Sequence, residues 1–211
     1  LPFVTKNYRI KNWGVFGKSS GGFGAITLAM RHPRVFTAVA NQSGDCNFEL
    51  TYLPEFLDSL REFKKFGGVK AWFDHFSADI NRQRKQYRKP LMMLAMAASY
   101  SPNPGCEMLA ELPFDGKDGR FRPEVWERWR EWDPINAVKK YADSLKLLKG
   151  LYIDCGKSDE FGLHLGATAL SSELKANGVT HHFEDFDDGH MSISYRFDVS
   201  LPFLARALTA E

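Results

Sequence analysis

The stretch Gly14-Val15-Phe16-Gly17-Lys18-Ser19-Ser20-Gly21-Gly22-Phe23-Gly24-Ala25 decides the fold, and it admits two readings. Gly17-Lys18-Ser19 looks like the end of a phosphate-binding loop, G-x-x-x-x-G-K-[ST], whose backbone amides wrap phosphate oxygens. That pattern needs glycine at position 12, where the chain has Asn12. The same residues spell G-x-S-x-G as Gly17-Lys18-Ser19-Ser20-Gly21, a sharp strand-to-helix turn that lifts a serine hydroxyl above a sheet edge. The flanks select this second reading. Trp13 to Gly17 is a short apolar run ending at glycine, and Phe23 to Met30 continues with good helix formers until His32-Pro33. Gly17 and Gly21 then keep the turn narrow, Gly22 and Gly24 let the helix pack closely, and Lys18 sits at the rim.

Working outward, Phe36 to Asn41 reads as the next strand, parallel to the first and joined to it by a right-handed crossover through the helix. Gly150-Leu151-Tyr152-Ile153-Asp154-Cys155-Gly156 is a third strand. Leu163 to Asn177 is a helix closed by Gly178, and Thr180 to Phe186 is a fourth strand. Met191 to Ala210 reads as mainly helical, interrupted or restarted around Pro202. Strands alternating with helices predict an α/β fold with a mostly parallel sheet covered on both faces.

Residues 46–130 break this rhythm and read as a largely helical insertion, a substrate lid or a plain surface elaboration. Pro54 to Phe66 places Phe56, Leu57, Leu60 and Phe63 on one helical face against Arg61, Lys64 and Lys65. Ser101-Pro102-Asn103-Pro104-Gly105 and Asp115-Gly116-Lys117-Asp118-Gly119 are turns, and the basic run Arg82 to Lys89 reads as a solvated face. Trp72, Phe73 and Phe76 suit either a pocket lining or ordinary core.

Composition excludes several function classes. The 28 basic and 26 acidic residues leave +2, mixed along the chain with no basic stripe, which argues against a nucleic-acid partner. The longest apolar run, Leu91 to Ala98, falls far short of the roughly 20 residues a membrane span needs. Cys46, Cys106 and Cys155 form no C-x-x-C pair and suggest neither a disulfide framework nor a zinc site. They favour a reducing compartment, hence the cytoplasm. Glu184 to Gly189 fails the calcium-loop pattern because Phe186 occupies a ligand position.

A serine hydroxyl is a poor nucleophile unless a base takes its proton, so Ser19 needs a histidine. Of the six, His190 in Asp187-Asp188-Gly189-His190-Met191 is the one on a loop directly after a late strand. His32 reads as a helix-end residue, His75 lies in the insertion, and His164 lies in a helix. His181 and His182 are adjacent on a strand and face opposite ways. The orienting acid belongs on the loop after the preceding strand, where Asp159 fits, with Glu160 and Asp154 as rivals. Asp187 and Asp188 read as turn formers. The backbone N–H of Ser20, at the positive end of the helix, points where an oxyanion would develop.

Four segments together form a specific signature: Gly17 to Ala25, Trp132-Asp133-Pro134, Tyr152 to Phe161, and Phe186-Asp187-Asp188-Gly189-His190-Met191. On them the chain resembles the putative-esterase branch of the α/β-hydrolases, which includes enterochelin-esterase-like proteins, S-formylglutathione hydrolases, feruloyl and acetylxylan esterases, and mycolyltransferases. The resemblance implies a single α/β-hydrolase domain over 1–211 and a Ser19, Asp159, His190 triad acting through an acyl-enzyme. The substrate would be a small-molecule or carbohydrate ester, or a thioester, and no cofactor or metal would be needed. An acyltransferase of the same fold and a non-catalytic hydrolase-like module or inactive fragment are the alternatives. Members of that branch carry several strands before the elbow, and the loop after the third donates a second oxyanion N–H. Twelve residues precede the elbow strand here, and Leu1 to Arg9 resembles the helix that usually leads into it. The expectation is therefore that these strands and that donor lie outside this chain; one such donor is worth on the order of a hundredfold in rate.

Overall fold

A computed structural model describes residues 1–210. Along the chain, helix α1 (Pro2–Asn7) leads into strand β1 (Gly14–Lys18), helix α2 (Ser20–Arg31) and strand β2 (Ala38–Gln42). Helices α3 (Phe48–Thr51), α4 (Leu53–Lys65), α5 (Val69–Ala78), α6 (Arg88–Tyr100) and α7 (Pro123–Arg130) follow. The chain then resumes its alternation with α8 (Pro134–Leu145), β3 (Gly150–Gly156), α9 (Leu163–Ala176), β4 (His182–Phe186) and α10 (Phe197–Thr209). These elements group into two compact units, one of residues Leu1–Asn47 and Asp133–Glu211, the other of Phe48–Trp132.

In the first unit the four strands form one sheet in the order β1-β2-β3-β4, every neighbouring pair parallel. Alternation along the strands sends residues to opposite faces. Val39, Leu151 and Ile153 join Ile26 and Met30 of α2, Val138 and Leu145 of α8, and Leu170 and Leu174 of α9 in the larger core. Ala38, Ala40 and Tyr152 point the other way, under Phe203, Leu204, Ala207 and Leu208 of α10. The sheet is thus covered on both faces, as the alternating pattern predicts. Each fully buried leucine or isoleucine of this core contributes about 1.5–3 kcal/mol.

The helix ends follow from local chemistry. Asp133 caps α8 by accepting the Ile135 N–H at 3.1 Å, with Pro134 preorganised in the first turn, and the same Oδ1 accepts the Asn47 N–H at 3.0 Å. Gly178, at φ 69°, turns the chain out of α9, and the Val179 N–H returns to the Leu174 carbonyl.

Two expectations fail here. Pro202 lies inside α10 and neither interrupts nor restarts it; residues 191–193 are not helical, and a 3-10 turn at Ser194–Arg196 leads into the helix. Phe203, Leu204, Ala207 and Leu208 beyond the proline pack on the sheet and Phe197 before it meets the Phe16 ring, and this burial outweighs one missing hydrogen bond. His181 also precedes β4 instead of sharing it with His182, because its ring is held at Nε2 by Ser171 Oγ (2.8 Å) and at Nδ1 by the Val179 carbonyl (3.0 Å).

The second unit is helical around an aromatic core in which Tyr52, Phe56, Tyr100 and Trp126 surround Trp129. The Trp129 indole N–H is satisfied by Ser101 Oγ at 2.9 Å. The apolar run Leu91 to Ala98 lies in α6 and buries Met93, Leu94 and Ala97. Trp72 is core, packed on Phe63, Phe76 and Tyr87. On α4 the inward line runs through half-buried Phe56 and buried Ser59 and Phe63, and Leu57 is 54% exposed. At roughly 100° per residue Leu57 falls on the flank of that stripe, so grouping it with the inward face is corrected. The arginines and lysines of the basic run are solvated as expected, with Lys89 pairing with Glu55 and Asp58, while Tyr87 among them is buried and donates to Asp79 at 2.6 Å.

Candidate active site

Ser19 stands between β1 and α2 at φ 58° and ψ −129°, a conformation that costs a non-glycine residue about 1–3 kcal/mol and must be held by its surroundings. Its N–H donates to the Gln42 carbonyl at 2.8 Å, extending the β1–β2 ladder by one rung. Gly17 makes the turn possible, since a Cβ there would lie 2.3 Å from the carbonyl carbon and oxygen of Gly21. The expected symmetry of the flanking glycines does not hold. A Cβ on Gly21, or on Gly24, would meet nothing within 4 Å, whereas one on Gly22 would sit 2.5 Å from Asn41 Oδ1. Close approach is therefore required at Gly17 and Gly22 only. Ser20 opens α2, where the first backbone N–H groups have no intrahelical acceptor, and its hydroxyl donates to Asp45 at 3.1 Å.

Asp159 follows β3 by three residues and is 5% exposed. One carboxylate oxygen accepts the Phe161 N–H at 2.9 Å; the other faces His190 Nδ1 at 2.8 Å. His190 follows β4 by four residues, is 4% exposed, and brings Nε2 to 3.1 Å from Ser19 Oγ. The Phe161 ring packs edge-on against the imidazole, centroids 5.0 Å apart. The three side chains singled out in the sequence therefore form one continuous chain of contacts.

This convergence is not automatic, because β1 and β4 are the outer strands and stand three spacings apart, roughly 14 Å. The loop after β4 closes the gap by folding back over the end of β3. Ser158 donates its N–H to the Asp188 carbonyl at 3.0 Å, and a Cβ on Gly156 would lie 2.3 Å and 2.4 Å from the carbonyl oxygens of Asp188 and Gly189. Gly156 is thus a site residue that sequence reasoning passed over, although a glycine ending a strand just before an acid is a readable sign.

The rivals for the acid have other partners. Asp154 is fully buried and bound by Arg196 Nε (3.0 Å) and the Tyr152 hydroxyl (2.9 Å); burial pushes its carboxyl up, opposed by these two groups. Arg196, itself buried, also reaches Glu184 at 3.0 Å and lies over the Phe186 ring. Glu160 accepts the backbone N–H of His190 at 2.6 Å. Asp187 pairs with Lys157 at 2.8 Å, and Asp188 accepts from the Gly189 N–H and the Tyr195 hydroxyl. The remaining histidines are placed elsewhere. His32 caps α2, His75 faces the Tyr87 hydroxyl at 3.0 Å, His164 lies on α9, and His182 stacks on Tyr152. Among the described residues no group of three or more His, Cys, Asp or Glu side chains is placed to hold a metal ion, and no helix is long and apolar enough to cross a membrane.

A family model described as "Putative esterase" matches residues 1–203. The chain belongs to that family. Two solved structures show the same α/β-hydrolase fold for this esterase-family chain. A ferulic acid esterase is 19% identical with a TM-score of 0.51, covering 98% of this chain and 57% of its own. An S-formylglutathione hydrolase (FrmB) from Staphylococcus aureus is 15% identical with a TM-score of 0.51, covering 99% of this chain and 60% of its own. The chain therefore spans less than two thirds of the length of either. No match was found among the curated proteins.

Proposed function

We propose that this chain carries the catalytic centre of a serine hydrolase that cleaves carboxylic esters or thioesters through an acyl-enzyme. The observation that carries the proposal is the contact chain Ser19 Oγ, His190 Nε2, His190 Nδ1, Asp159 Oδ2, with separations of 3.1 and 2.8 Å. With Asp159 ionised and accepting from Nδ1–H, the Nε2 lone pair faces the serine hydroxyl. Ser19 Oγ bonds to the acyl carbon as its proton passes to Nε2, and the carbonyl electrons become an oxyanion that the Ser20 N–H faces. Collapse expels the alcohol or thiol, which takes the proton from the imidazolium. Water then repeats the cycle, leaving a carboxylic acid and the free hydroxyl. Asp159 holds the ring orientation throughout, and its own bond from the Phe161 N–H keeps it in place. The names of the two structural neighbours are consistent with oxygen esters and thioesters as the substrate class.

Labelling of the full-length protein with a fluorophosphonate, alongside hydrolysis of p-nitrophenyl acetate, tests this. The expected result is stoichiometric labelling and turnover, both lost in Ser19→Ala. Undiminished labelling in that variant, or a folded protein that neither labels nor turns over, refutes it.

A further inference from the structure

We infer that Glu160 is a positioning residue, acting through the backbone of His190 to hold the imidazole at its distance from Ser19; the inference rests on the serine-hydrolase reading. Asp159 and Glu160 are consecutive carboxylates, and they grip one residue at two points. Asp159 Oδ2 meets the ring at Nδ1 (2.8 Å), and Glu160 Oε2 accepts the His190 main-chain N–H (2.6 Å). A ring fixed only at Nδ1 is free to pivot about that contact. Fixing the backbone as well leaves only the two side-chain torsions, so Nε2 has one place to go. The Glu160 carboxylate is also close to the preceding residue, since a Cβ on Gly189 would lie 2.8 Å and 2.9 Å from its two oxygens. The loop thus carries glycine where the carboxylate lies against it.

Packing does not explain this placement. Glu160 is an exposed residue, and a glutamate on the surface surrenders side-chain entropy when it is held in one rotamer. The His190 N–H is the leading cause that draws the Glu160 carboxyl below its usual value, followed by Glu160's own backbone N–H, with partial burial acting against both. The loop after β4 already has other ties, from Lys157 to Asp187 and from Tyr195 to Asp188. Those hold its flanks, whereas Glu160 alone among these contacts addresses residue 190 itself. Its function is therefore reach, not charge.

Three variants in the full-length protein separate reach from charge. Glu160→Gln keeps an oxygen acceptor at the same length without charge. Glu160→Asp keeps the charge on a side chain shorter by about 1.5 Å, which takes a 2.6 Å contact beyond hydrogen-bonding distance. Glu160→Ala removes both. The expected result is kcat near the parent level in Glu160→Gln and lower by about tenfold or more in Glu160→Asp and Glu160→Ala, with KM within about twofold throughout. Should Glu160→Ala fail to fold, the contrast between Gln and Asp carries the same test. Parent-like kcat in Glu160→Asp, or an equal loss in Glu160→Gln, overturns the inference. A parent protein without turnover, or turnover surviving Ser19→Ala, overturns instead the reading on which it rests.

Discussion

The two glycines of the G-x-S-x-G turn predict opposite responses to the same substitution. In Gly17→Ala the new methyl would lie 2.3 Å from the carbonyl carbon and oxygen of Gly21 and 2.9 Å from its Cα. Ordinary carbon contacts begin near 3.5 Å, so the turn would have to open by about 1 Å. The obstacle is backbone in the first turn of α2, with no flexible side chain to move aside. Overpacking costs about 1–3 kcal/mol where side chains can shift, and a backbone wall puts Gly17→Ala at or above about 3 kcal/mol. For a protein of this size that lowers Tm by about 6–12 °C. The opening also moves Ser19, whose position between β1 and α2 is fixed by this turn, so the turnover proposed above falls by more than a hundredfold. In Gly21→Ala the methyl meets nothing within 4 Å and the residue lies in a helix, where alanine is favoured over glycine by about 0.5–1 kcal/mol. That variant keeps its fold and gains up to about 4 °C. Thermal unfolding with p-nitrophenyl acetate kinetics reads both. A Gly17→Ala protein with parent Tm and kcat, or a Gly21→Ala protein as damaged as Gly17→Ala, refutes the asymmetry.

Other perturbations act through charge and burial. Asp159→Asn disrupts the carboxylate that faces His190 Nδ1 and that the proposed mechanism uses to fix the tautomer, so kcat drops by about a thousandfold or more while Tm stays within a few degrees; parent-like kcat would assign the orienting role elsewhere. Arg196→Met strands the buried Asp154 carboxylate and costs about 3–5 kcal/mol at neutral pH in urea unfolding. Burial raises the Asp154 carboxyl in the folded state, so its ionisation opposes folding above that raised value. The Arg196→Met deficit must therefore shrink as pH falls and Asp154 protonates, and a deficit that is flat with pH contradicts the assignment. Burial pushes the Cys155 thiol up to about 12 and the Cys46 thiol well above its usual value, so a thiol reagent at pH 8 titrates only Cys106 in the native protein and three cysteines after unfolding. Fast reaction of a second thiol before unfolding would show the core around Cys46 and Cys155 to be open.

What could be read from the sequence divides by range. Strand identity was legible because the apolar runs at Trp13 to Gly17 and Gly150 to Gly156 stop at glycine, and because a central parallel strand such as β3, buried at every position, needs no alternation. The elbow was legible because its signal is local, five residues between a strand and a helix. The loop after β3 pointed to Asp159 for the imidazole, and Asp159 lies at Nδ1; what engages its rivals was not legible, because it is a buried guanidinium from residue 196 for Asp154 and a peptide N–H from residue 190 for Glu160. Pro202 misled because proline's local penalty is visible in a sequence and the sheet-facing burial of α10 is not. Gly21 and Gly24 misled for the related reason that a motif records which residue stands at a position but not what surrounds it.

The site owes its assembly to register as much as to loop sequence. Beyond the last paired residues of the sheet, one further rung joins each strand end to the next. Ser19 N–H reaches Gln42 O, Ser43 N–H reaches Asp154 O, and Lys157 N–H reaches Phe186 O, each at 2.8 Å. These rungs run from the strand that presents the serine, through β2, to the strands that present the acid and the histidine. A one-residue slip would swap a strand's two faces, which for β3 exchanges Leu151 and Ile153 for Tyr152 in the larger core. The core that stabilises the sheet is thus the same constraint that fixes the level from which each loop departs. Only the lateral reach of His190, across three strand spacings, is left to the loops, and it is there that Gly156 clears the path and Asp159 and Glu160 take hold.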